Sequence, residues 1–416
     1  MSASELLPGS GGRLHESEAN KAINEEDTEL TFEGFEKEVP VDPLLALLYA
    51  RHTLTSPYST SEERQAAMSA MNKEMLEHNM APYLRIVREA LELTLDEAKL
   101  QEMDAINTAK VEAIDAKLRD AQENLGDTEV RDVLQAKCDH YARIGDFEAC
   151  LKFNEECAAK TLAVGRKLDL YFQRIRLGIA FSDNEVAAKG IRDAHRLMIG
   201  GDWERRNRLK VYEGVYHVMV RDFRRGSELL LDCITTFASG ELISFKDFIF
   251  ITVIASLPVL SRSELKRRII DSPEVISADL PELCDFVNAI HACRYRDVFP
   301  ALDVVCQKQR LIVYVSPHVN YFFRKTRVLV FTQFLDSYSS VTLQSMASTF
   351  GIPLPVLDQM LCTLIANESI ACKMDRVNNS ITTYRGNTTN FDYHNIIKNG
   401  DLLLNRIQKL SRLVEM

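Results

Sequence analysis

The sequence lacks the local patterns on which most enzyme predictions depend. It contains no G-x-x-x-x-G-K-[ST] phosphate loop, no G-x-G-x-x-G and no H-E-x-x-H. The nine cysteines include no C-x-x-C pair, and the nine histidines are dispersed. His291 and Cys293, two residues apart, point to different faces of a helix. The sequence therefore predicts no catalytic residue, no cofactor site and no metal site, although a distant Cys/His nucleophile pair stays open.

Long apolar runs are also scarce. The most apolar one, Phe248–Leu260, contains Pro258 and is too short to cross a bilayer. The N-terminus has neither the basic start nor the apolar core of a secretory signal peptide. An odd number of scattered cysteines is typical of reduced thiols. These features predict a soluble intracellular protein with no membrane partner.

The charge is unevenly distributed. The net charge is −10 and the pI is about 5.5, which argues against a general polyanion binder. Residues 1–38 hold ten Asp and Glu residues against three Lys and Arg residues. We expect residues 1–40 to form an acidic arm that is disordered or adaptable.

Most of the remaining chain has the periodicity of helices. Residues 41–127 predict several N-terminal helices, of which the last, from Asp96 to Leu125, is long and charged. A weak repeat follows, in which a polar residue recurs every 38 positions, with a small residue four positions later. The polar residues are Asp146, Asn184 and Asp222, and the small ones are Cys150, Ala188 and Gly226. The spacing predicts a solenoid of tetratricopeptide-like (TPR-like) helix pairs over 128–300.

The pattern changes after Tyr338. VTLQSMASTFG predicts a short helix that ends at Gly351, and PLPVLDQMLCTLIANE predicts a second helix that begins with proline. SIACKMD and SITTY predict two strands, joined by a hairpin turn at Asn378 and Asn379. Two helices and a hairpin make a winged-helix module over 338–385. The fold class is therefore mainly α, a TPR-like solenoid followed by a winged helix and a C-terminal helix.

The C-terminal helix, predicted over 391–416, carries an apolar stripe. Its members are spaced by four, three and four residues: Leu403, Ile407, Leu410 and Val414. No later segment of this sequence is left to cover the stripe. We expect it to pack on a helix of a partner.

A winged helix often binds DNA, but this one lacks the charge for it. No Lys or Arg occurs from Val328 to Cys372, and the predicted second helix carries Asp358 and Glu368. Since Lys and Arg supply most phosphate contacts, we interpret the module as a protein–protein element.

The segment GGDWERRNRLKVYEG holds the single tryptophan, Trp203, among four cations. We expect a buried face on this helix, and we expect Asp202–Arg206 and Glu204–Arg208 to form ion pairs on its other side. Trp203 is then a contact that staples the helix to its neighbour. An RNA-binding surface is the open alternative.

Four motifs resemble a known family. They are NLGDTEVRD, GGDWERRNRLKVYEG, CRYRDVF and GDLLLNRIQKLSRLVEM. They are similar to PCI-domain subunits of the 26S proteasome lid, in particular to the family of non-ATPase regulatory subunit 6. The resemblance runs from about Asp42 to Met416, whereas the first 40 residues and the segment Lys308–Ser316 depart from it.

The resemblance implies a non-catalytic scaffold that supports lid assembly and ATP-dependent degradation of ubiquitinated proteins in the cytoplasm and nucleus. It implies a PCI domain over 205–385, a lateral surface on the winged helix and a C-terminal helix that joins a bundle. The implied partners of this hetero-oligomer are other PCI and lid subunits, and base ATPases and the core particle through the solenoid. The candidate interface residues are Val341, Ile370, Ile381, Trp203 and the four of the C-terminal stripe.

Two alternatives stay open. One is a PCI scaffold of the signalosome or of a translation-initiation-factor complex, which would use the same packing with other partners. The other is a PCI adaptor that binds nucleic acid, which the charge of the winged helix disfavours.

Overall fold

The computed structural model describes residues 41–91, 97–124, 126–198, 202–383 and 388–414. The acidic arm predicted over 1–40 lies outside the described residues. Helices make up most of the described chain, as expected. The first eight described helices are α1 to α8, as Pro43–Thr55, Ser61–Glu77, Ala81–Leu91, Glu97–Asn124, Asp127–Ile144, Phe147–Lys160, Val164–Ala180 and Asn184–Leu197.

The second half of the chain continues with helices. They are α9 to α16, as Trp203–Met219, Phe223–Asp232, Phe245–Ser256, Arg262–Leu265, Pro273–Ser277, Pro281–His291, Tyr295–Leu311 and Val319–Leu335. A single π-helical turn, Lys266–Ile270, follows α12 directly. Short 3₁₀ turns lie at Ile234–Thr236 and Ser316–His318. Successive helices pack as antiparallel pairs, which confirms the predicted solenoid class.

The turns inside these pairs share one backbone device. A residue with positive φ ends one helix, and an aspartate caps the next. The left-handed residues are Gly145, Ser182 and Arg221, with φ of 76°, 61° and 73°. The caps are Asp146, Asp183 and Asp222, whose carboxylates accept hydrogen bonds from backbone N–H groups of the following first turn. The repeated polar position of the middle pair is thus Asp183, not Asn184 as predicted.

Small residues allow the paired helices to approach closely. A Cβ atom on Gly178 of α7 would lie 2.7 Å from the backbone nitrogen of Ala187 on α8. On α9, a Cβ atom on Gly214 would lie 2.6 Å from Leu230 Cδ2 of α10. In the middle pair the buried small residue is Ala187, whereas the predicted Ala188 is only partly buried. Ala187 replaces Ala188 for the same reason that Asp183 replaces Asn184, because α8 begins one residue earlier than the repeat predicted.

The first helix is fixed to the solenoid by a polar contact. Asp42 caps α1 by accepting a hydrogen bond from the Leu44 backbone. Its second carboxylate oxygen lies 2.9 Å from the Arg176 guanidinium of α7. Arg176 also contacts Glu241, whose backbone carbonyl accepts a hydrogen bond from the Asp42 N–H. The polar groups at the start of α1 therefore have partners on two other segments.

The winged helix contains one more strand than the sequence predicted. Its elements are β1 (Ser340–Thr342), α17 (Leu343–Phe350), α18 (Leu354–Ala366), β2 (Cys372–Asp375) and β3 (Ser380–Thr383). The sheet is antiparallel with the order β1–β3–β2. Val341 lies in β1 and not in the predicted short helix, because Thr342 caps α17 and separates it from the strand. Gly351 ends α17 at φ 67°, and Asn379 supplies the left-handed hairpin residue at φ 47°, both as predicted.

The winged helix shares a core with the helices before it. The ring of Phe350, at the end of α17, lies 5.1 Å from the ring of Tyr295 in α15 and 5.1 Å from that of Phe331 in α16. One cluster of buried side chains extends from Leu44 to Ile381. The last helix, α19 (Thr388–Val414), follows this body.

Among the described helices, no single one is long and apolar enough to cross a membrane. One pair, α17 with α18, passes the length and composition criteria together, with a bend of 106° between its members.

Candidate assembly interface

The predicted stripe of the C-terminal helix is exposed. Leu403, Ile407, Leu410 and Val414 expose 60%, 56%, 62% and 78% of their surface. Isolated leucines on a surface are normal, but four in register on one helix form a continuous apolar face. In the part of the chain that the structure describes, this face has no cover.

The apolar face is longer and wider than the sequence analysis predicted. Tyr393, Ile396, Ile397 and Leu404 are also exposed on α19. Leu402 and Leu413 are exposed as well, and at 3.6 residues per turn all these side chains together span an arc of about 220°. The signal for Ile396 was present, because the spacing of three and four residues continues towards the N-terminus through Gly400. A narrow seam would need one partner helix, whereas this arc is wide enough for two.

The winged-helix residues differ in their availability. Ile370 exposes 6% and Ile381 exposes none of its surface, and both belong to the core of this chain. Ile381 lies on the face of β3 that covers α17 and α18, and Ile370 lies in the bend before β2, so the core of this chain covers both side chains, contrary to their prediction as interface residues. Val341 pairs with Ile381 across the sheet and is half-buried. The exposed apolar positions of the module are elsewhere, at Leu354, Val356 and Val377.

Trp203 does not staple α9 to its neighbour. It is the first residue of α9 and exposes 65% of its surface, so the prediction of a packed contact within this chain is wrong. Asp202, directly before it, caps the helix by accepting a hydrogen bond from the Glu204 backbone. The ring is left accessible because a helix's first side chain projects beyond the packed turn. The interface prediction for Trp203 thereby gains support from its exposure.

Three of the four cations beside Trp203 have carboxylate partners, although not the predicted ones. Arg205 contacts Asp169 of α7 at 3.0 Å, Arg208 contacts Glu241 at 2.9 Å, and Lys210 contacts Asp232 at 3.7 Å. Asp202 pairs with Arg205 at the i,i+3 position, not with Arg206. Arg205 and Arg208 are instead reached by carboxylates from outside α9, Asp169 of α7 and Glu241 of the loop before α11. The pairing leaves less free positive charge for an RNA backbone.

The described residues offer little to catalysis or metal binding. They contain no group of three or more His, Cys, Asp or Glu side chains placed to hold a metal ion. Burial raises the pKa of Cys233 and of Cys306 to about 11, so both are thiols at neutral pH. Asp358 places a carboxylate on α18, the helix that would enter a DNA groove in a DNA-binding winged helix. This carboxylate lies 3.3 Å from the guanidinium of Arg376 in the hairpin.

Comparison with protein families agrees with this geometry. The family model of the 26S proteasome subunit RPN7 matches residues 96–268, and the PCI domain model matches residues 300–385. The C-terminal helix of the 26S proteasome regulatory subunit RPN7/PSMD6 matches residues 393–414, the part of α19 that bears the apolar face. The chain belongs to the RPN7 family.

Individual relatives of the RPN7 family cover most of the chain. The 26S proteasome non-ATPase regulatory subunit 6 homolog of Arabidopsis thaliana is 37% identical over 90% of this chain and 97% of its own. Subunit 6 of Oryza sativa subsp. japonica is 40% identical over 78% of this chain and 84% of its own. The 26S proteasome regulatory subunit RPN7 of Saccharomyces cerevisiae is 31% identical over 87% of this chain and 91% of its own. The family is thus that of a non-ATPase regulatory subunit of the proteasome.

Proposed function

We propose that this chain is a non-catalytic scaffold of the proteasome lid, joined to sister subunits through the apolar face of α19. The observation that carries the proposal is the exposure of that face. Each large side chain that a partner covers contributes about 1.5–3 kcal/mol of burial free energy. Leu403, Ile407, Leu410 and Val414 therefore favour association strongly over exposure to water.

The proposal includes the other predicted partners and surfaces. Exposed Trp203 and half-buried Val341 are candidate contacts to neighbouring PCI and lid subunits. The solenoid helices are the candidate contact to base ATPases and the core particle. We place the protein in the cytoplasm and nucleus, with no nucleic acid and no membrane as partners. The division into 41–127, 128–300, a PCI domain of 205–385 and the last helix is part of this proposal.

Deletion of residues 401–416 tests the scaffold role. We expect the shortened chain to keep its helical content, because α19 lies outside the shared core, and to be lost from affinity-purified lid. Circular dichroism checks the first expectation, and mass spectrometry of the purified complex checks the second. Normal recovery of the shortened chain with the lid would count against α19 as the assembly element.

A matched pair of double substitutions separates the apolar face from the helix itself. Leu403→Ala with Ile407→Ala removes side chains from the face. Asn405→Ala with Lys409→Ala changes the opposite side and, like the first pair, introduces two alanines, the residue of highest helix propensity. We expect only the first pair to reduce recovery with the lid. Equal recovery of both variants would show that the face does not mediate assembly.

The same purification decides between the scaffold assemblies. Co-elution of proteasome ATPases with the tagged chain is expected under the proposal. Recovery with signalosome or initiation-factor subunits instead would favour the alternative PCI scaffold.

A further inference from the structure

A small, mainly apolar cavity lies beside the short helix α13 of the solenoid, in a part of the chain separate from α19 and from Trp203. It measures about 170 Å³ and is lined by Val253, Ile269, Ile270, Val275, Leu283 and Val287. Ile276 lies at its rim and exposes 65% of its surface. Apolar cavities of about 150 Å³ take groups as large as a benzene ring. This one therefore has room for one aliphatic or aromatic side chain.

The cavity owes its shape to an irregular backbone. The π-helical turn Lys266–Ile270 widens the helix, and its last two residues, Ile269 and Ile270, both line the cavity. Asp279, which follows α13, has a φ of 51°. Such π turns and left-handed non-glycine residues cost free energy and are frequent at functional sites. The opening is thus a feature of the fold at this point, not a gap between straight helices.

Carboxylates follow the lining residues in the sequence. No Lys or Arg occurs between Arg268 and Arg294, whereas five acidic residues do: Asp271, Glu274, Asp279, Glu282 and Asp285. The Glu282 carboxylate is paired with Lys308, and the exposed cations 266–268 directly precede the lining residue Ile269. Asp271, Asp279 and Asp285 are exposed. The Asp285 charge acts at the cavity itself, because it adds to burial in raising the pKa of the Cys284 thiol that lines it. Arg268 lines a different cavity, together with Arg224 and Glu264.

We propose that this cavity binds a basic segment of a partner protein, which inserts one leucine-sized side chain beside Ile276 while flanking lysines or arginines contact Asp279 and Asp285. An apolar anchor with a complementary charged rim is the usual construction of a small protein-binding site. The exposed carboxylates repel a nucleic-acid backbone. The site is separate from α19 and does not depend on the scaffold proposal.

Peptide binding to the full chain tests the site. The probe is a fluorescein-labelled peptide with one leucine between pairs of lysines. Two control peptides carry alanine in place of the leucine, or glutamates in place of the lysines. We expect the leucine peptide to bind at least tenfold more tightly than either, by fluorescence anisotropy at low salt. We also expect it to slow alkylation of Cys284 by N-ethylmaleimide, measured by mass spectrometry. Equal binding of the three peptides, or Cys284 alkylation that none of them slows, would overturn the proposal.

Substitutions on the chain give an independent test. Ile276→Asp removes the apolar rim, and Leu162→Asp is its matched control, since Leu162 exposes 93% of its surface in the α6–α7 turn. Both sites are exposed, so both variants should fold, which circular dichroism checks. We expect Ile276→Asp to weaken the leucine peptide at least tenfold and Leu162→Asp to leave its binding unchanged. The opposite order, or equal effects, would place the peptide elsewhere.

Discussion

The Asp42 carboxylate and the Arg176 guanidinium, 134 residues apart in the sequence, meet at 2.9 Å. Arg176 exposes 18% of its side chain and Asp42 exposes 25%, so the pair is largely removed from water. Glu241 approaches the same guanidinium at 3.1 Å. Glu241 also pairs with Arg208 at 2.9 Å, whereas the ion pair of Asp42 is with Arg176, so loss of this guanidinium would leave the Asp42 carboxylate with an uncompensated charge.

Replacement of this cation should destabilise the fold measurably. We expect Arg176→Ala to lower the free energy of unfolding by about 1.5–3 kcal/mol, the usual cost of losing hydrogen bonds to charged groups. Denaturation by urea provides the measurement. Arg224→Ala is the control, because the Arg224–Glu228 pair exposes 84% and 68% of its side chains, and such pairs contribute little. Equal effects of the two substitutions would contradict the importance of partial burial here.

A second carboxylate gives the stability a predictable pH dependence. Glu213 exposes 4% of its side chain, and it accepts hydrogen bonds from His195 at 2.7 Å and Arg225 at 2.9 Å. Burial alone would raise the pKa of Glu213, but these two partners hold it below its ordinary value of 4.5. His217, one turn later on α9, lies 3.5 Å from Glu213 and 3.6 Å from Asp222, the cap of α10. The native state therefore binds this proton less readily than the unfolded chain does.

The sign of the effect follows from this lowered pKa. The contribution of the charged Glu213 is complete above pH 4.5 and is lost as the pH falls through the native pKa. We expect Glu213→Gln to be less stable than the wild type by about 1–3 kcal/mol at about pH 6, with a difference that narrows towards about pH 3. Urea denaturation over this range measures it. A constant difference at all pH values would mean that packing, not charge, makes the contribution.

Periodic features were the ones that the sequence predicted well. The solenoid class, the winged helix and α19 follow from apolar spacing, caps and Gly351, all of which act within a few residues. Contacts between helices did not follow. The partners of Arg205 and Arg208 are 36 and 33 residues away, and no local spacing indicates which distant carboxylate will reach a cation.

The candidate interface residues likewise include some whose exposure could be predicted from the sequence and some whose burial could not. Exposure of the α19 stripe could be predicted because the helix is amphipathic over its length. The burial of Ile370 and Ile381 could not, because a two-residue alternation says which residues share a face but not whether the face is covered by this chain or by a partner. Strand β1, which the sequence analysis did not predict, is three residues long and pairs with a strand about forty positions later. Local sequence patterns do not indicate such a distant pairing.

The buried position of Ile381 predicts a large cost for its truncation. We expect Ile381→Ala to lower the free energy of unfolding by about 2–5 kcal/mol, since the cavity forms in a sheet that packs on α17 and α18. Val377→Ala in the adjacent hairpin turn is the matched control, because Val377 exposes 91% of its surface, and we expect a change within about 0.5 kcal/mol. Urea denaturation compares the two. A small effect at Ile381 would mean that the side chain is available to partners after all.

The exposed ring of Trp203 leads to the opposite expectation for stability and assembly. Trp203→Ala should change the free energy of unfolding by no more than about 0.5 kcal/mol, because most of the ring already contacts water. If the ring is a contact to another subunit, the variant should be displaced from the lid when equal amounts of tagged wild-type chain compete for incorporation. Arg206→Ala, at a neighbouring exposed position of α9, is the control and should compete normally.

Retention of single-stranded RNA by the wild type at physiological salt, lost in Trp203→Ala, would instead support a nucleic-acid surface, since a base stacked on an exposed ring contributes about 1–3 kcal/mol. Normal incorporation of Trp203→Ala together with no RNA retention would remove Trp203 from the interface, and the contacts of the solenoid would then have to be sought on other exposed residues.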